Sequence, residues 1–281
     1  MLIPTLSLFL LAAPPAFHVD VVAPGANKPK MILIPGLQSA GAVWDSTVAH
    51  FQDRYECHVL TLAGFAGQPP LPPDQPFLAA VRDQLAAYIR ANQMRSPVIV
   101  GHSLGGFLAV WLSAEHPQLT GPIVVVDSLP FLPGAYQATA TVESMKDQAT
   151  SVRAMIGSMQ GDAWAAYQKS NPALKGMMSK EADIAVATEW GLKSDPKTVG
   201  NAMFELFQTD LRPRLSQVQS PTLLLAALKD YPEGAFQTYQ RQYEPLRGVK
   251  LVPFPEARHF IMFDAPARMF ETMDSFLSPA R

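Results

Sequence analysis

Apolar residues along the chain fall into two patterns. Short, nearly continuous hydrophobic runs rich in Val, Ile or Leu occur at Phe17 to Val22, Lys30 to Ile34, Cys57 to Leu62, Val98 to Gly101, Ile123 to Asp127, Thr222 to Ala226 and Val249 to Pro253. Their length and composition predict β-strands. Apolar positions at three- and four-residue spacing predict helices over Phe77 to Asn92, Leu104 to His116 and Pro266 to Leu277. Strands alternating with helices imply an α/β fold with a mostly parallel sheet covered on both faces. The turn-forming run Pro24-Gly25-Ala26-Asn27 between the first two strands predicts an antiparallel hairpin at the sheet edge.

One stretch breaks the alternation. From 131 to 215 no run reads as a strand, and helical segments are separated by Gly and Pro, with Met145, Met155, Met159, Met177, Met178 and Met203 spread among them. The pattern predicts a core formed by 17–130 and 216–281, interrupted by an all-helical insertion at 131–215. An insertion on the C-terminal side of a parallel sheet hangs over the crevice where such sheets bind ligands, so it reads as a lid. Its methionines are read first as core filler.

Composition narrows the function. Of 281 residues, 48% are hydrophobic and 16% charged, and the net charge is -2; this is a globular chain without the basic stripe that nucleic acid or an anionic membrane surface requires. The six histidines lack metal-ligand spacing, so no metal is expected. The single cysteine, Cys57, lies in a predicted strand and reads as a packed core thiol. Met1 to Ala16 is apolar and ends in small residues and prolines, like the hydrophobic region and cleavage zone of a secretory signal, although it carries no Lys or Arg. It is too short for stable membrane insertion. A secreted or periplasmic location is the expectation; the alternative is an N-terminal arm packed on a cytoplasmic domain.

The chemistry concentrates in Val98-Ile-Val-Gly-His-Ser-Leu-Gly-Gly106, where a strand runs into G-H-S-L-G and then a helix. This is the G-x-S-x-G nucleophile elbow in the context it needs. The turn forces strained backbone angles on Ser103 and leaves no room for a Cβ at Gly101 or Gly105. It exposes the Ser103 hydroxyl as a nucleophile and presents the Leu104 N–H, at the start of the helix, to a developing oxyanion.

With these features the chain resembles the α/β-hydrolase fold superfamily from about Phe17 to the C-terminus. Ile34-Pro35-Gly36-Leu37, followed by Trp44, is similar to the family's H-G-x segment, with Pro35 in place of the usual His. The resemblance implies a second oxyanion-hole N–H from Leu37. Leu62 to Gly67 is similar to a family turn that shapes a loop, without its usual acidic residue. His259-Phe260, followed by Asp264 and Pro266, resembles the segment carrying the family's catalytic histidine, with Arg258 where Gly is commoner. His259 is therefore the expected base. Two carboxylates fit the order acid before histidine. Asp230 follows Pro221-Thr-Leu, as the family's acid after the penultimate strand does, with Ala227 in place of a Gly; Asp127 closes the preceding strand, where some members place theirs. Asp230 is slightly preferred.

Together these imply a cofactor-free serine hydrolase that cleaves a small or medium carboxylic ester, a small-molecule substrate, through an acyl-enzyme. Members of this fold also hydrolyse carbon–carbon bonds, open lactones and run perhydrolysis, and others are slow-turnover ligand receptors, so the fold does not name the substrate.

Overall fold

The computed structural model describes residues 14–278. In chain order the elements are β1 (Phe17–Val22), β2 (Lys30–Ile34), α1 (Asp45–Phe51), β3 (Glu56–Leu62), α2 (Phe77–Ala91), β4 (Val98–His102), α3 (Leu104–Glu115) and β5 (Ile123–Val126). Five helices follow: α4 (Lys146–Gly157), α5 (Gly161–Ser170), α6 (Pro172–Met177), α7 (Glu181–Leu192) and α8 (Pro196–Gln208). The chain closes with β6 (Thr222–Ala227), α9 (Ala235–Tyr243), β7 (Lys250–Phe254), α10 (Ile261–Asp264) and α11 (Pro266–Leu277).

The strands form one sheet in the order β1-β3-β2-β4-β5-β6-β7, with every described pairing parallel except β1 with β3. The hairpin expected between β1 and β2 does not form. β1 alternates half-buried and exposed residues, the pattern of an edge strand, whereas Met31 to Ile34 of β2 are buried throughout and need neighbours on both sides. β3 supplies the partner to β1, and the loop that looked like a hairpin turn is fastened to β3 by the Gly25 N–H, which donates to Glu56 Oε2 at 2.7 Å.

Side-chain alternation divides the core between the two faces of the sheet. Ile32, Ile34, Ile99, Ile123, Val125 and Leu224 pack with α2 and α3, while Leu33, Val100, Val124, Val126, Leu223 and Leu225 pack with α11. Cys57 lies in the second layer, and burial pushes its thiol up to about 11, so it stays protonated and inert. The chain leaves β2 toward β3, then crosses back to β4 on the other side of β2, so the strand order reverses between β2 and β4. Sheets of this kind bind ligands outside the C-terminal strand ends at such a reversal.

Between β5 and β6 the regular elements of the described chain are all helices. Three sets of contacts fasten it to the core. After β3, the Asp195 N–H donates to the Gly64 carbonyl (2.7 Å) and the Gly67 N–H to the Lys193 carbonyl (3.0 Å). Glu205 of α8 accepts the Phe77 and Leu78 N–H groups at 2.6 and 2.8 Å, capping the first turn of α2, which has no side-chain cap of its own. Beyond β7, Ser179 bonds Asp264 through its N–H and hydroxyl, and the Phe260 N–H donates to the Met177 carbonyl. The first and third sets involve loops that follow strands, so the insertion covers the C-terminal edge of the sheet. Met145 and Met178 are buried, as core filler should be, and Met155 is exposed.

The expected leader lies mostly outside the described residues. Its last residues belong to the fold: Gln84 donates to the Pro14 carbonyl and accepts from the Ala16 N–H, and the buried Ala16 also accepts from the Ala63 N–H. No helix among the described residues is long and apolar enough to cross a membrane.

At the sheet edge, Glu56 is held by Lys30 at 2.7 Å, by Gly25 and by His58. The Lys30 ammonium, helped by the other two, lowers the carboxyl from 4.5 to about 2. A depressed carboxylate stabilises the fold above its ordinary value and ceases to do so as pH falls toward the depressed one. Glu56→Gln is therefore expected to flatten the fall in stability between pH 4.5 and about 2, measured as urea midpoints across that window.

Candidate active site

β4 ends at His102 and α3 begins at Leu104, which leaves Ser103 alone to turn the chain. It does so at φ 52°, ψ -118°, a conformation costly for a side chain with a Cβ and held here by the packing around it. A Cβ on Gly101 would stand 2.2 Å from the Gly105 carbonyl oxygen, and one on Gly105 would stand 2.2 Å from the Ile34 carbonyl oxygen. Strand, helix and the end of β2 therefore meet at backbone contact distance. The Ser103 N–H donates to the Val126 carbonyl at 2.9 Å, tying the turn to β5 as well.

The segment after β2 runs along the same corner. A Cβ on Gly36 would lie 3.2 Å from the Ser103 Cβ and 2.8 Å from His102 Nδ1. Leu37 follows this contact and Leu104 follows Ser103, so the two residues expected to present oxyanion N–H groups flank the serine from separate segments.

His259 sits on the loop between β7 and α10. Its Nδ1 lies 2.6 Å from Asp127 Oδ2. A carboxylate only accepts, so the Nδ1–H donates in this contact, the tautomer that in a neutral ring leaves the lone pair on Nε2. The loop is positioned by a residue the motif reading had not singled out. His102 is buried beside the elbow, packs its ring against His259 with centroids 4.6 Å apart, and donates from Nε2 to the His259 carbonyl at 3.1 Å. Burial, with the neighbouring His259, holds the His102 imidazole well below its ordinary pKa, so it stays neutral. The middle position of G-H-S was its signal in the sequence.

The two candidate acids part company here. Asp127 turns the chain just after β5 at φ 49°, with its side chain 1% exposed. Its Oδ1 accepts from the Ala227 N–H (2.8 Å) and the Tyr239 hydroxyl (2.7 Å), and Oδ2 accepts from His259 and, at 3.3 Å, from the Tyr231 hydroxyl. Asp230, slightly preferred on the sequence, is not the carboxylate set against His259. Its side chain is 60% exposed and paired with Arg258 at 2.7 Å. Arg258 stands where the family more often has Gly, and its guanidinium claims the acid of the later loop. It also donates to the Met178 carbonyl at 2.7 Å, linking that loop to the insertion.

Tyr231, Tyr239 and the Ala227 N–H were not foreseen as partners of the acid. Ala227 differs from the family's Gly only in its side chain, and its contribution is a backbone N–H, which composition does not reveal. Tyr239, Gln242 and Tyr243 lie at helical spacing on α9, a helix the hydrophobic pattern did not announce because the inward stripe is made of polar-tipped residues. Burial, then the negative charge of Asp127, pushes the Tyr239 and Tyr231 phenols up, and both remain protonated donors. Among the described residues no group of three His, Cys, Asp or Glu side chains is placed to hold a metal ion.

Comparison with known proteins gives the family. The chain belongs to the alpha/beta hydrolase family, whose model matches residues 31–272. It is 24% identical over 269 residues to a pimeloyl-[acyl-carrier protein] methyl ester esterase of Nitrosomonas europaea, covering 92% of this chain and 99% of the relative. It is 21% identical over 208 residues to a 3-oxoadipate enol-lactonase of Acinetobacter baylyi, covering 73% of each. Among solved structures, a hydrolase from Pseudomonas aeruginosa superposes with a TM-score of 0.72 at 19% identity, covering 94% of both chains. The relatives are hydrolases, and hydrolase activity is the family property carried here.

The glycine contacts make a sharp stability prediction. Gly105→Ala is expected to destabilise the fold by more than about 3 kcal/mol, because the obstacle is backbone and cannot rotate away. Gly176→Ala, at a position with nothing within 4 Å, should leave the thermal midpoint unchanged or slightly raised.

Proposed function

We propose that the protein is a serine hydrolase acting on small or medium carboxylic esters through an acyl-enzyme intermediate. The observation that carries the reading is the 2.6 Å contact of His259 Nδ1 with buried Asp127, on a loop whose His259 carbonyl is bonded by His102, the neighbour of Ser103 in its strained turn. In the first step His259 Nε2 takes the Ser103 proton as Oγ attacks the ester carbonyl. The Leu37 and Leu104 N–H groups receive the negative charge that develops on the carbonyl oxygen. Collapse of the tetrahedral intermediate expels the alcohol, which takes the proton from His259, and leaves the acyl group on Ser103. Water then attacks the acyl-enzyme with His259 as base, and the acid departs with Ser103 restored. Asp127 keeps the imidazole in the required tautomer and offsets its transient positive charge.

An acyl C–O bond as the target accords with the activities for which the methyl ester esterase and enol-lactonase relatives are named. The helices over the C-terminal edge are proposed as the lid that encloses the acyl or alcohol part of the substrate.

The test combines labelling with turnover. A fluorophosphonate is expected to modify Ser103 stoichiometrically, identified by peptide mass, and Ser103→Ala should abolish both labelling and hydrolysis of short p-nitrophenyl esters; an unlabelled wild-type protein overturns the reading. Asp127→Asn should lower kcat by about three to four orders of magnitude by favouring the wrong imidazole tautomer. Asp230→Asn, which breaks an exposed ion pair, should change kcat by less than about tenfold. The reverse ranking would return the acid to Asp230.

A further inference from the structure

We propose that Tyr239, assisted by Tyr231, is a positioning residue that governs how strongly Asp127 supports His259, an inference that rests on the hydrolase reading above. Three hydrogen bonds from α9 grip the segment after β5. The Tyr239 hydroxyl donates to Asp127 Oδ1 at 2.7 Å, the Tyr243 hydroxyl donates to the Ser128 carbonyl at 3.1 Å, and the Phe131 N–H donates to Gln242 Oε1 at 3.2 Å. All three α9 side chains are buried. The helix therefore fixes both the position of the acid and the direction of its free lone pairs.

The two carboxylate oxygens are unequally engaged. Oδ1 carries the Ala227 N–H and the Tyr239 hydroxyl, both at normal hydrogen-bond length, while Oδ2 faces His259 and a longer contact from Tyr231. Each donor withdraws negative charge from the carboxylate and weakens its hold on an imidazolium. Tyr239 thus does two opposing things. It orients Oδ2 toward Nδ1, which favours catalysis, and it tempers the acid so that His259 sheds its proton at lower pH than it otherwise would.

The ionisable groups packed around the pair are accounted for. His102 from β4 faces His259 and is neutral, and Tyr231, Tyr239 and Tyr243 face Asp127 as protonated phenols. On the histidine's own loop, Arg258 is paired with Asp230, and Asp264 accepts from Ser179 and from the Arg258 N–H. Tyr239 is the closest of the phenols to the acid, and among the described residues its hydroxyl bonds Asp127 alone.

The experiment uses the intact protein and three variants, Tyr239→Phe, Tyr231→Phe and the double change. Two readouts are taken: the pH profile of kcat/KM for p-nitrophenyl butyrate, and the downfield proton resonance of His259 Nδ1–H recorded without substrate. For Tyr239→Phe, kcat should fall roughly tenfold with KM nearly unchanged, as expected for loss of a hydrogen bond to a charged group. The acid limb should move upward by about half a pH unit, because the untempered carboxylate holds the imidazolium more tightly. Tyr231→Phe, a change at a half-exposed side chain that leaves the buried packing alone, should move the limb and the resonance in the same direction by less. An unmoved limb and an unmoved resonance in a folded Tyr231→Phe and Tyr239→Phe overturn the proposal, as does a rise in KM with the limb in place, which would make Tyr231 a substrate contact instead. The resonance does not depend on turnover, so a protein in which Ser103 fails to react defeats the hydrolase reading while the resonance still decides the role of the tyrosines.

Discussion

The Ile34 carbonyl oxygen occupies the space that any side chain on residue 105 would need. That single backbone approach lets the end of β2, the end of β4 and the start of α3 converge within van der Waals distance. Everything chemical follows from it. Gly36 and Leu37 are brought alongside Ser103, the serine is forced into its strained turn, and the strain is sustained because strand, helix and neighbouring loop leave no relaxed alternative. A wider corner would relax the serine and separate it from the segment after β2.

The parts of this arrangement visible in the sequence are those made by short contiguous motifs. Gly101-His-Ser-Leu-Gly105 encodes its own local geometry, and the buried runs of β4, β5 and β6 announce strands covered on both faces, because each is apolar at successive positions. What remained hidden depends on pairing across long distances. β1 and β2 read as a hairpin since their separating loop has turn composition, but register is decided by which strand covers an exposed edge, and Glu56 pulls that loop to β3. The acid was ambiguous for a related reason. Asp127 and Asp230 both follow strands and both adopt positive φ, so local sequence treats them alike. Burial by α9 and capture of the other acid by Arg258 separate them, and neither is a local property.

The insertion is more than a cover laid on the sheet. Its contacts reach the loop after β3, the first turn of α2 and the loop that carries His259, so displacement of the helices would disturb the histidine loop. Arg258 is the hinge of this connection, bonded at once to Asp230, to the Met178 carbonyl and, through its N–H, to Asp264. Arg258 thereby links the position of the insertion to that of the His259 loop.

The grip of α9 on the segment after β5 has a consequence for how the chain acquires its structure. Asp127 and Tyr239 are 112 residues apart, and Asp127 and His259 are 132 apart. On a ribosome, the first carboxylate emerges long before its donors do, and a charged group cannot be buried without them. Burial of the end of β5 therefore depends on segments made after the helical insertion. A chain cut short before α9 would keep the Ala227 N–H and the Tyr231 hydroxyl as donors to Asp127 and lose those of Tyr239 and His259.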